Sequence, residues 1–77
     1  MTIVIARDQY YLDNNGGQFV QGFDPTTVVG RGLTLAAAAR RAGAWAFVSG
    51  YRAYDAKSGE CLGRVYEYED GKFETQS

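Results

Sequence analysis

Apolar and polar residues alternate with a two-residue period through positions 46–75, the pattern of half-buried β-strands. Turn residues divide this stretch into the three strands of an antiparallel meander, whose middle strand spans 61–69. The turn before it, around Ser58-Gly59-Glu60, holds a glycine able to take positive φ. The turn after it is Asp70-Gly71, a pair suited to a type I′ hairpin. Regular alternation across these turns places Phe47, Ser49, Tyr51, Ala53, Leu62, Arg64, Tyr66, Tyr68 and Phe73 on one face. Val48, Gly50, Arg52, Tyr54, Cys61, Gly63, Val65, Glu67 and Glu74 fall on the other. The aromatic-rich first set is expected to be buried. The second, thinned by two glycines, is expected to face outward.

A helical pattern occurs once, over residues 33–42. Thr34 suits the N-cap, the alanine run has high intrinsic helix propensity, and Arg40-Arg41 complement the dipole at the C-terminal end. Leu35, Ala38, Ala39 and Ala42 form the inward stripe, and Gly43 is a natural residue to end the helix. The alternative, a helix continuing through Trp45, is disfavoured because a strand pattern begins at Ala46. Upstream, Ile3-Val4-Ile5 has strand propensity without alternation, which implies either burial on both faces or a position in mid-sheet. Asp13-Asn14-Asn15-Gly16-Gly17 is a turn signal, and residues 18–23 read as a return strand, so that 3–23 forms a hairpin. Pro25 breaks that strand, leaving 24–32 as a loop. The expected architecture is a single α+β domain of order β-β-α-β-β-β, an antiparallel sheet packed on one helix.

Length and composition narrow the options. Seventy-seven residues allow one core. A chain this short buries only about 60% of its unfolded surface, so association would add stability. With one cysteine, Cys61, and no histidine, neither an intrachain disulfide nor a histidine-bearing zinc site is available. The N-terminus lacks the features of a signal peptide and no run is long enough to span a bilayer, so a cytoplasmic protein without membrane contact is expected. The net charge of −1 hides an asymmetry: five basic and three acidic residues up to Arg52, three basic and six acidic after it. Such a dipole can orient a protein on a charged partner.

Catalytic constellations are missing. Nucleophilic catalysis usually needs a base beside Ser, Cys or Thr, and histidine, the usual base, is absent. Cys61 stands beside Glu60, which disfavours its thiolate, and reads as a small half-buried hydrophobe. Glu67, Glu69 and Glu74 read as solubilising edge charges, with Glu67 and Glu74 expected to face one another across the second hairpin. Gly30-Arg31-Gly32 has the look of an anion nest but lacks the length of a phosphate loop, and reads more simply as a turn into the helix. No cofactor is implied. The six tyrosines exceed what so small a core can enclose with their hydroxyls satisfied, and tyrosine with arginine favours interfaces. The expected partner-binding residues are Arg52 and Tyr54 on the open face, Glu67 able to pair with Arg52 across a two-fold homodimer, and Arg40 and Arg41 at the helix end.

The lone alanine-rich helix and the tight meander closed by Ser58-Gly59 and Asp70-Gly71 resemble, in size and style, the small phage-encoded anti-CRISPR proteins. That resemblance implies a non-enzymatic inhibitor that occupies a CRISPR surveillance complex or effector. The residues alone also admit a small nucleic-acid-binding module with an Arg/Tyr sheet face.

Overall fold

The strand without alternation, β1 (Ile3–Arg7), sits inside the sheet and is buried along both faces up to Ala6. This computed structural model describes residues 1–8 and 22–76. After β1 come a 3-10 turn (Pro25–Thr27), β2 (Gly30–Gly32), α1 (Leu35–Ala42), a second 3-10 turn (Gly43–Phe47), β3 (Tyr51–Asp55), β4 (Cys61–Glu69) and β5 (Lys72–Gln76). The strands form one antiparallel five-stranded sheet in the order β2-β1-β3-β4-β5. The α+β class and the order β-β-α-β-β-β follow the sequence pattern.

The identity of the second strand does not. Residues 18–21 of the expected return strand, and the turn at 13–17, lie outside the described residues. Phe23 makes only an isolated bridge to Asp8. The partner of β1 is Gly30–Gly32, from the stretch expected to be a loop. Its glycines form the floor under the helix: a Cβ on Gly30 would meet the Ala38 carbonyl oxygen and, at 2.7 Å, the Ala42 nitrogen. One on Gly32 would lie 2.7 Å from the Ala37 methyl. Glycine below and alanine above let two backbones approach closely, and a Gly-Arg-Gly held this way is a packing element rather than an anion nest.

Helix α1 keeps its predicted bounds. Thr34 Oγ1 accepts a hydrogen bond from the Ala37 N–H at 3.1 Å, and Gly43, at φ 62°, ends it with its N–H on the Ala39 carbonyl. The chain does not then enter a strand at Ala46 but winds through the 3-10 turn, which buries Ala46 and leaves β3 to start at Tyr51. One core lies between sheet and helix: Ile3, Ile5, Ala53 and Val65 against Ala38, Ala39, Ala42 and Ala46. A second cluster forms on the opposite face, where Val4, Ala6 and Tyr54 are covered by Phe23, Val28 and Ala56. The covering segment is pinned by the Asp24 N–H on Arg7 O at 2.8 Å and the Val29 N–H on Ile5 O at 2.9 Å. Asp24 caps its turn by accepting from the Thr26 N–H and hydroxyl.

A bulge reverses half of the expected face assignment. Ala53 pairs with Gly63 but Tyr54 pairs with Cys61, so Leu62 is an extra residue in β4. A one-residue slip moves every following side chain to the opposite face. Val65 therefore joins Ala53 in the core, while Arg64, Tyr66 and Tyr68, expected inside, are exposed. Phe73 stays on the helix side and stacks on Phe47, ring centroids 6.3 Å apart. Asp70-Gly71 is not a type I′ turn, because only Gly71 has positive φ (77°). A second irregularity, between Glu67 and Glu69, accompanies the turn.

Candidate interaction face

Beyond the Ala53–Gly63 pair, β4 runs on with β5 as a two-stranded ribbon. Its face away from the helix carries cross-strand rows: Arg64 with Gln76, Tyr66 with Glu74, and Glu69 with Lys72. Arg52, on the neighbouring strand, shares a shallow depression of about 520 Å³ with Arg64, Gly63, Cys61 and Gln76. The two arginines are exposed and neither has an ion-pair partner among the described residues, where Lys72–Glu69 at 3.3 Å is the one such pair. Like charges side by side on a sheet repel, so an anionic group placed between them would be stabilising. Next along the ribbon, the Tyr66 hydroxyl donates to Glu74 Oε2 at 2.6 Å, which raises its pKa above the usual phenol value. The Tyr68 ring meets that of Tyr66 edge-on at 6.5 Å. Arginine beside fixed, exposed tyrosine gives large contact area at small entropic cost, the composition of an interface centre.

The expected site residues separate into three groups. Arg52 is on this face as expected. Tyr54 is not available: its side chain is 2% exposed, packed under Phe23 with ring centroids 5.6 Å apart. Burial, then the nearby Cys61 and Asp8, push its pKa up to about 12. The sequence assigned Tyr54 outward because it lies beside Arg52 in an alternating strand, whereas the 23–28 segment folds over that part of the sheet. Arg40, Arg41 and Glu67 lie on the helix side, and each has a structural contact. Arg40 Nη2 donates to the Gly71 carbonyl at 3.4 Å and Glu67 Oε2 accepts from the Gly71 N–H at 2.8 Å, so both hold the ribbon turn. Arg41 Nη1 donates to the Arg31 carbonyl at 2.7 Å, tying the helix to β2. Glu67 faces the helix side while Arg52 faces away, so they cannot pair as expected, and Glu67 opposes Phe73 rather than Glu74. Cys61, expected half-buried, is exposed.

Arg64, Tyr66 and Tyr68 are the residues that alternation misplaced. The signal that could have found them is Gly63, at φ 122°, because a glycine inside a strand often marks a bulge. A second exposed surface lies on the 3-10 turn, where Trp45 packs its ring 5.6 Å from Tyr51 and Arg7 lies 5.5 Å over the Tyr51 ring. Among the described residues no group of three or more Cys, Asp or Glu could hold a metal ion, and no helix is long and apolar enough to cross a membrane.

Fold and face together define a small α+β domain whose chemistry lies on an open sheet surface. No family model matches the chain, and no curated protein or solved structure matches it.

Proposed function

We propose that this chain is a non-enzymatic binding protein that acts by stoichiometric occupation of a macromolecular partner, and specifically a phage inhibitor that occupies a CRISPR surveillance complex or effector. The observation that supports this reading is the exposed Arg52–Arg64–Tyr66–Tyr68 face, on strands whose opposite face packs against the helix through Ala53 and Val65. An arginine-tyrosine surface suits a macromolecular contact, because tyrosine rings give large contact area at low entropic cost and the unpaired guanidiniums offer charged hydrogen-bond donors. The choice of a CRISPR complex rests on the resemblance in size and style to anti-CRISPR proteins. The chain is expressed beside active CRISPR systems of different types and phage plaquing is scored. Restored plaquing in one system, lost in Arg64→Glu with Tyr66→Ala while that variant stays folded by circular dichroism, is the expected result. Absence of protection in every system overturns the inhibitor reading.

A further inference from the structure

The outer face of the β4–β5 ribbon is segregated by charge along its length. Two guanidiniums, Arg52 and Arg64, stand together at the end next to β3. Toward the turn end are the carboxylates of Glu69, paired with the single ammonium of Lys72, and of Glu74 in the row of Tyr66, with the exposed Asp70 in the turn itself. Between the ends lie Tyr66 and Tyr68, 38% and 55% exposed. A ribbon positive at one end, negative at the other and aromatic in the middle is complementary to itself when turned end for end.

We infer that a second copy of this chain covers this face in the free protein, in a two-fold dimer with outer face on outer face and the ribbons antiparallel. Two in-plane axes can bring such faces together. An axis along the ribbon would set Arg64 over Gln76 and Glu69 over Lys72, and would keep the two arginine ends side by side without a carboxylate facing them. An axis across it, through the tyrosines, lays the arginine end of each copy over the carboxylate end of the other, so every favourable charge contact is made twice. The six residues of β4 from Arg64 to Glu69 that face β5 make a ribbon about 20 Å long, whose area is small beside the roughly 800 Å² per partner of a standard interface. The dimer is therefore weak, which lets a macromolecular partner displace it from the same face. Such a dimer goes beyond the proposed function and does not depend on the identity of that partner.

Sedimentation of the purified chain over a range of concentrations tests it. The expected result is reversible dimerisation that weakens as salt rises, because exposed charge contacts are screened. Arg64→Glu and Glu69→Arg should each weaken the dimer at least about tenfold, since each puts like charges together. Mixing these two variants should restore a heterodimer. The carboxylate introduced at position 64 of one copy then meets the guanidinium introduced at position 69 of the other, and the remaining contact is native. A chain that stays monomeric at about 1 mM, either variant dimerising like the parent, or a mixture that stays monomeric overturns the arrangement. If circular dichroism finds Arg64→Glu unfolded, Arg64→Gln replaces it and should also weaken the dimer; dimerisation like the parent overturns the arrangement. Phage plaquing plays no part in the readout, so the dimer and the inhibitor reading fail separately.

Discussion

Val65→Ala and Tyr66→Ala together test the bulge on which the whole surface depends. Side-chain size alone ranks Tyr66 as the costlier loss, and so does regular alternation from Ala53, which would put Tyr66 inside at roughly 3–5 kcal/mol. The bulge at Leu62 reverses this ranking. Val65 is 1% exposed and packs against the core of Ala38, Ala42 and Ala53. Truncating it removes two buried carbons at about 0.8 kcal/mol each and leaves a small cavity, about 2 kcal/mol in all. Tyr66 is 38% exposed, and its truncation removes a surface hydrogen bond to Glu74 and some ring contact, at a cost below about 1 kcal/mol. Urea unfolding of a small domain has a slope of about 1 kcal/mol per molar, so Val65→Ala should lower the midpoint by about 2 M and Tyr66→Ala by less than about 1 M. A larger loss from Tyr66→Ala than from Val65→Ala would refute the register of β4, and with it the placement of Arg64 beside Arg52.

Gly30→Ala should destabilise by about 1–3 kcal/mol in the same assay, because the new methyl must push α1 away from β2; stability equal to the parent would mean that helix and strand are not in close contact. The folded-state pKa of Tyr54, raised to about 12 from 10, stabilises the native state fully below pH 10 and progressively less as pH climbs towards 12. Alkaline unfolding within that window, with one phenol titrating last in ultraviolet absorbance, is expected for the parent, and Tyr54→Phe should remove that late titration.

Features set by neighbours along the chain were legible in the residues. Thr34 and Gly43 bound α1 because capping is a contact between residues three or four apart. The Ile3-Val4-Ile5 run, lacking alternation, pointed to burial on both faces or a place in mid-sheet, and β1 lies inside the sheet with both faces covered. Features set across the sheet were not legible. Gly30–Gly32 has no strand propensity of its own; it is a strand because β1 offers an open edge and α1 needs a glycine floor. Tyr54 reads as outward from its neighbours, yet the 23–28 segment, tied down through Asp24 and Val29, covers it from far along the chain.

The same long-range fact explains where the open surface lies. Covering the sheet on its outer side takes chain, and among the described residues the 23–28 segment reaches only the second cluster around Val4, Ala6 and Tyr54. On the inner side, α1 and the 3-10 turn extend far enough that Phe47 stacks on Phe73 of β5. Strand β4, at nine residues, outruns β3, at five, so the ribbon continues past the covered region. Its outer side chains would be apolar if they were meant to be covered by this chain. They are instead Arg64, Tyr66, Glu69, Lys72, Glu74 and Gln76, which water tolerates and a partner can use. The bulge decides this outcome, because without the extra residue at Leu62 the outer ribbon would present Val65 to water and drive Arg64 into the alanine core.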